Sequence, residues 1–533
     1  MNKYWRIGEP CVWGTAAALA TTLLIAFTLI VVVMVNGLGV FWPSDLDQLE
    51  LKDGSRLVGE PIKREPAANG EGFRRQYKVG NRDLYGLDFR WVDEVEIVSE
   101  SRPAEIVALE RMEYGNFFGR LVEVKLGDLA GQTAGLDPLS AMLDAQNRLR
   151  ALQRTLLEAD EELSLLSYRA EQVRHKLLKL TFAGIAAADP RITELERQKT
   201  ILDDDFKRVM GRQEADRIRL GAYTAVFADS NGRTKEFRLA DIVRVYRPNA
   251  MTVGEKIRFY LGKLVELLTE EPREANTEGG LFPAIFGTIM LIFVMSLFSF
   301  PLGVIAAIYL KEYARDGVIV RLVRIAVNNL AGIPSIVYGI FGLGFFVYGV
   351  GGTLDKLFFP ELLPTPTFGT GGLLWASLTL ALLTVPVVIV ATEEALGAIP
   401  REIREGSLAL GSTKFQTLTR ILLPMASPGI MTGLILAMAR AAGEVAPLMI
   451  TGVVKLAPSL PLDGNFPFLH LDRKFMHLGF HIFDIGFQSP NVEAAKPMVF
   501  VTTLLLVLIV LIMSSIAIYL RNKMKKRYTF GTF

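Results

Sequence analysis

The chain holds a single cysteine, Cys11, so no disulfide can form within it whatever compartment it occupies. Histidine is almost as scarce, with four in 533 residues, and three of these (His470, His477 and His481) share one stretch. Zinc ligation is one reading of that stretch, and a polar loop is the plainer one. No excess of either charge is present. Lys+Arg 58 against Asp+Glu 56 leaves a net charge of +2, which gives no electrostatic footprint for nucleic acid. No phosphate-binding loop occurs either. Gly411-Ser412-Thr413-Lys414 has the composition of one without its spacing, so any ATP is expected to be hydrolysed by another polypeptide. Catalytic residues, metal ligands and a cofactor of its own are not expected in this chain.

What the sequence has instead is apolar length. Half of the residues are hydrophobic and the mean hydropathy is +0.32, as suits a membrane protein with a soluble insert. Trp13 to about Val40 is one apolar run, preceded by Lys3 and Arg6. It is too long for the core of a signal peptide, and no small-residue cleavage site follows it. Residues 1–40 therefore read as a cytoplasmic N-terminus and a retained first transmembrane helix. Five more runs follow: Leu281–Leu310, Arg321 to about Val350, Gly371–Thr392, Met425–Val454 and Pro497–Leu520. Six spans put both termini on one side.

Charge indicates which side. Lys311, Arg315, Arg321 and Arg324 follow the second span, and Arg401, Arg404, Lys414 and Arg420 follow the fourth. The tail, 521–533, carries Arg521, Lys523, Lys525, Lys526 and Arg527, whereas Gly351–Thr370 has only Lys356. The positive-inside bias puts the 393–424 loop and both termini in the cytoplasm. The 41–280 insert is then exported, to the periplasm if the membrane is the inner membrane of a two-membrane bacterium.

The insert changes character. Leu49–Glu60 alternates about Asp53-Gly54, a hairpin turn pair, and further alternating segments lie at Asp88–Val98 and Ala222–Tyr246. Asp88-Phe89-Arg90, Asp93 and Val95 recur as Glu236-Phe237-Arg238, Asp241 and Val243, which suggests two related β units. Between them, about 136–219, Leu143, Leu149, Leu152, Leu156, Leu163 and Leu166 fall near heptad spacing. With Pro190 opening a second helix, this predicts an antiparallel helical hairpin, serving as a brace or as a docking arm.

The stretch from Glu393 to Pro424 is too rich in charge for lipid and reads as two short helices. Pro400 suits a first helical turn, and Gly411 suits the left-handed position past its end. Thr413 and Gln416 form a capping box opening the second helix, expected to stop by Pro424. Ile403, Phe415, Leu418, Ile421 and Leu422 give the pair apolar stripes. Chemistry alone leaves an ordinary polar loop equally open.

Spacing separates the two readings. Glu405-Gly406-Ser407, three residues, Gly411, nine residues and Ile421-Leu422-Leu423-Pro424 resemble the coupling motif of ABC importer permeases. The departure from that motif is Gly406-Ser407 in place of two alanines, both still small enough for close helix packing. The runs Phe300–Ala314, Asn328–Gly344 and Ala439–Met449 resemble phosphate ABC importer permeases, the last being nearer the A-type subunit than the C-type. Val445 stands where that family usually has Thr. The resemblance covers 281–520, the first span loosely, and none of the large insert.

The expected fold class is accordingly membrane all-α. It is a six-transmembrane-helix type I ABC importer permease core with an inserted exported α+β domain that carries a helical (coiled-coil) hairpin. The resemblance implies a heterodimer with a C-type permease, two ATPase subunits that bind ATP and Mg, and an exported phosphate-binding protein. It implies docking of an ATPase on Glu405, Gly406, Ser407, Gly411, Ile421, Leu423 and Pro424.

Within the fifth span Arg440 and Glu444 lie four residues apart on an expected continuous helix. Buried charge there faces protein or a water-filled path rather than lipid. The pair can simply neutralise itself, or it can read an anion. Arg offers planar donors to phosphoryl oxygens, and Glu accepts from an oxyanion that keeps a proton, as phosphate does near neutral pH. Permeases for sulfate, molybdate or phosphonate, and a membrane sensor with an exported coiled coil, are the alternatives.

Overall fold

The computed structural model describes residues 9–67, 72–127, 137–489 and 492–528. Lys3, Arg6, Leu136 and the end of the tail lie outside the described residues. The chain divides into two compact units. One comprises Met1–Val40, Leu268–Glu271 and Gly280–Phe533, and the other Phe41–Leu267 with Pro272–Gly279.

The second unit holds two five-stranded antiparallel sheets of the same topology. In the first, β1 (Asp47–Leu51), β2 (Arg56–Pro66), β3 (Phe73–Lys78) and β4 (Phe89–Asp93) form a meander, and β5 (Ile97–Ser101) returns onto β1. In the other, β6 (Val107–Arg111), β7 (Phe117–Lys125), β8 (Thr224–Ala228) and β9 (Thr234–Arg238) do the same, and β10 (Ile242–Tyr246) returns onto β6. A single 3₁₀ turn, Glu94–Glu96 or Leu239–Asp241, precedes each returning strand. The recurrence noted in the sequence thus falls on two like units, but out of register. Ile97-Val98 stands where Ile242-Val243 does, so Asp93 and Asp241 are not equivalent.

The helical hairpin replaces the short β7–β8 connection. Helix α2 (Pro138–Phe182) begins at Asp137, whose carboxylate accepts from the Leu139 and Ser140 N–H groups, and α3 (Pro190–Gly221) begins at Asp189 in the same way. The leucines do not form one continuous seam. Leu149, Leu152 and Leu156 pack against the second sheet, while Leu163 and Leu166 meet Leu202, Phe206 and Val209 of α3. Leu143 is exposed. The first turns of α2 therefore serve the sheet's core, and only the distal part is a helix pair.

Helix α4 (Val253–Thr269) ends the insert. Among the described residues six helices are long and apolar enough to cross a membrane: α1 (Glu9–Gly39, apolar from Cys11), Phe282–Tyr313, Ser335–Phe358, Leu373–Gly397, Lys414–Gly443 and Val492–Lys525. Two differ from the expected bounds in an informative way. The run beginning at Arg321 is not one helix. Helix α5 (Phe282–Ile308, continuing to Tyr313) is followed by α6 (Val318–Leu330), a break at Ala331–Pro334, and then α7 (Ser335–Phe358). Pro334 has no N–H to give to the preceding turn and disfavours helix at the residue before it, and here the chain breaks.

Pro424, by contrast, does not stop its helix. After α8 (Leu373–Gly397) and α9 (Arg401–Ala409), helix α10 runs from Lys414 to Gly443, with one π turn at Leu418–Leu422. The wider turn takes up the carbonyl that Pro424 would otherwise strike, one turn back. Helix α10 then breaks, and α11 (Ala446–Thr451), α12 (Leu478–Phe483) and α13 (Val492–Tyr528) complete the chain. Leu291 and Met295 of α5, Tyr338 of α7, Leu380 and Leu383 of α8, and Ala441 and Leu448 around the α10 break share one core.

Candidate functional site

The 393–424 loop folds as two helices joined by a tight turn. Gly411 has φ +85°, the Ser412 N–H donates to the Ser407 carbonyl at 3.2 Å, and the Gly411 N–H to that of Leu408 at 2.9 Å. These two bonds close a Schellman cap. Thr413 and Gln416 form the expected capping box. Inside the pair, Leu418, Leu422 and Ile403 pack on Leu396 and Ile399 at the end of α8.

Ser407 lies in the seam, its hydroxyl 2.9 Å from that of Thr417. Gly406 does not, because it is exposed with open space where a Cβ would stand, so its smallness serves no packing in this chain. Glu405 is exposed, Ile421, Leu423 and Pro424 are half-buried, and Phe415 points outward. Leu410, 89% exposed, and Phe415, 66% exposed, flank the turn as an apolar knob.

Arg404, one of the basic residues of the loop, holds the pair in place. Its guanidinium donates to the Leu396 and Ile399 carbonyls at 2.6 and 2.8 Å and to Glu312 at 3.1 Å. It thereby caps α8 and ties the loop to the end of the second span. An Arg at this spacing after a helix end is a recognisable C-capping signal, but its carboxylate partner lies far back in the chain.

The Arg440–Glu444 pair exists, though not as two residues of one helix. Helix α10 ends at Gly443, and Glu444 is extended with φ −79°, ψ 133°. Its carboxylate still comes within 3.7 Å of the Arg440 guanidinium. Both side chains are half-buried, Arg440 the more exposed. The break in α10 meets the break between α6 and α7. Gly339 comes so close to Pro447 that an added Cβ would stand 2.7 Å from the Pro447 Cα. Tyr338, an electrostatic neighbour of Arg440, donates its hydroxyl at 2.7 Å to the Leu330 carbonyl at the break, which also accepts from the Ile333 N–H. Two interrupted helices thus bring a guanidinium, a carboxylate and a phenol to one place. Irregular backbone of this kind is tolerated in a membrane only inside protein or along a cavity.

The histidine stretch is dispersed by the fold. His470 binds Asp463 at 3.0 Å, His477 caps the start of α12 by accepting from the Gly479 N–H, and His481 lies beside Thr502 of α13. Among the described residues no group of three or more His, Cys, Asp or Glu is placed to hold a metal ion.

Residues 299–526 match the family described as binding-protein-dependent transport system inner membrane component. A probable ABC transporter permease protein, YqgH, of Bacillus subtilis is 33% identical over 204 residues, which are 37% of this chain and 62% of that protein. A probable phosphate transport system permease protein PstA of Methanocaldococcus jannaschii is 36% identical over 197 residues, 36% of this chain and 63% of that one. The chain thus spans a little under two thirds of the length of these two relatives. It spans more of the phosphate transport system permease protein PstA of Yersinia pestis, with 34% identity over 258 residues, 48% of this chain and 77% of that one.

The chain belongs to this transport-component family. The family match includes both helices of the 393–424 loop, both helix breaks and the Arg440–Glu444 pair, and it excludes residues 41–280. The chain is a multi-pass membrane protein with the type I ABC permease fold and a separate α+β region. Its family is one of permease components rather than catalytic enzymes.

Proposed function

We propose that this chain is a permease subunit of an ATP-driven phosphate importer. The observation that carries the reading is the Arg440–Glu444 pair at the meeting of two interrupted helices, in the same matched stretch as the coupling helices. Arg440 presents planar donors to phosphate oxygens, and Glu444 accepts a hydrogen bond from the O–H that phosphate keeps and sulfate lacks. Interrupted spans facing one another are where transporter folds place such sites. The PstA relatives favour phosphate over other oxyanions.

The partners follow from the same reading: a C-type permease, two ATPase subunits binding ATP and Mg, and an exported phosphate-binding protein. The knob of Leu410 and Phe415 enters a groove on an ATPase, and Arg404 passes its movement to the second and fourth spans through Glu312 and the Leu396 carbonyl. Closure of the ATPases then opens the path alternately to the two sides. Both termini and the coupling loop lie in the cytoplasm of a bacterial inner membrane, and residues 41–280 lie outside it, consistent with the basic residues at 401, 404, 414 and 420.

The test is uptake of labelled phosphate by proteoliposomes holding the whole complex, with sulfate, molybdate and phosphonate as competitors. ATP-dependent phosphate uptake that resists sulfate supports the reading. Uptake of another oxyanion in preference would move the chain to a different substrate, and failure to co-purify with any ATPase would overturn the importer itself.

A further inference from the structure

Helix α4 is built inside out. Three of its charged residues, Lys256, Lys263 and Glu266, face the interior of their own unit. Lys263 lies 2.6 Å from Glu110 and 3.0 Å from Glu266, and Arg273 and Arg244 reach Glu266 at 2.5 and 3.1 Å. Lys256 reaches Asp45 at 2.5 Å. The opposite face carries Val253, Ile257, Leu261 and Val265, exposed by 68, 47, 56 and 60%. Steps of four residues drift by about 40° around a helix, so these four cover roughly a 120° stripe. A helix on a water-facing surface has the reverse arrangement, with aliphatic residues inward and ammonium groups outward. This one is stable where the medium outside it is itself apolar.

The covalent chain says which medium that is. Gly39 ends the first span, and Trp42 packs its ring against Tyr260 of α4 with centroids 6.2 Å apart. Asp45, a little further on, is the partner of Lys256. Three residues of fully extended chain reach no more than about 11 Å, so α4 is held near the point where the first span leaves the membrane. At its other end the chain re-enters a membrane-spanning helix at Phe282, soon after Thr269. The exposed charges flanking the stripe, Glu255 and Arg258, are of opposite sign, so the stripe has no basic rim for an anionic surface.

We propose that α4 lies along the bilayer surface as an interfacial helix, with Val253, Ile257, Leu261 and Val265 seated among the outermost acyl carbons. The occupant of the stripe is lipid, and neutral lipid suffices. This placement holds whichever solute the permease carries, because it requires only that the first span crosses the membrane.

The test uses the full chain in phosphatidylcholine nanodiscs. Cys11→Ser removes the native thiol, and Ile257→Cys or Leu261→Cys takes a spin label, with Lys199→Cys on the helical hairpin as a water-exposed reference. Collision with oxygen, which concentrates in lipid, is compared with collision with a water-soluble nickel chelate. The oxygen-to-nickel ratio at 257 and 261 is expected to exceed that at 199 by about tenfold, as for a helix buried by several ångströms in the interface. A ratio equal to that at 199 would show that the stripe faces water. Exclusion of both reagents would show that protein covers it, and either result overturns the proposal. Since Val253 is also exposed, Val253→Cys supplies the same reading if one of the other variants fails to insert.

Discussion

The hydroxyls of Ser407 and Thr417 stand 2.9 Å apart in the seam between the two helices of the 393–424 loop. Related motifs have alanine at the first of these places, and here the seam has a hydrogen bond instead. Ser407→Ala leaves the buried Thr417 hydroxyl without this partner and should cost about 1–2 kcal/mol, read as a lower melting temperature of the detergent-solubilised chain. Ser407→Ala with Thr417→Val removes both polar groups and should recover most of that loss. Additive losses in the double variant would show that the bond contributes nothing.

Gly411 has φ +85°, which a β-branched side chain adopts only with strain of roughly 1–3 kcal/mol. Gly411→Val should insert normally and lose ATPase association, because the turn presenting Leu410 and Phe415 is displaced. Co-purification of the ATPase with Gly411→Val at the native level would refute the link between this turn and docking.

Arg440→Lys keeps the charge and loses the planar fork, and phosphate uptake should fall about tenfold with assembly intact, the worth of one charge-assisted hydrogen bond. Glu444→Gln keeps the shape and one acceptor oxygen. If Glu444 reads the proton on the anion, sulfate should compete better in this variant while arsenate changes little. Native transport and selectivity in both variants would make the pair structural.

The α2–α3 turn, residues 183–189, is largely exposed and should be the first site cut by a protease. Protease added outside intact cells stripped of their outer membrane should release fragments split there. Cleavage restricted to inverted vesicles would reverse the topology.

His477, outside the six spans, is buried, and that burial lowers its pKa from the ordinary 6.5 to about 4. The unfolded chain therefore binds the extra proton first as pH falls. Stability contributed by the neutral ring is complete above about pH 6.5 and is lost progressively down to pH 4, to an extent of roughly 3 kcal/mol. His477→Asn keeps an acceptor for the Gly479 N–H and does not titrate, so melting temperatures measured from pH 7 to pH 4 should fall less steeply in it. An unchanged slope would place the acid sensitivity elsewhere.

Local signals determined a good part of this protein. Apolar runs marked out the spans, Gly411 and the Thr413–Gln416 box marked the turn between the two helices of the 393–424 loop, and Pro190 opened the second hairpin helix, because each is a property of a few adjacent residues. The outcome at the two prolines was decided by tertiary packing. Pro334 interrupts its helix, whereas a π turn carries α10 through Pro424. The same holds for the site. Arg440 and Glu444 are legible at four-residue spacing, but that Glu444 has left the helix, and that Tyr338 and Gly339 approach Arg440 and Pro447 from another break, depends on contacts between distant segments. Arg404 finds Glu312 across ninety-two residues of chain. In α4 the periodicity shows two faces, and only the fold shows which is turned inward, since ion pairs to Asp45 and Glu110 supply the burial that aliphatic residues usually provide.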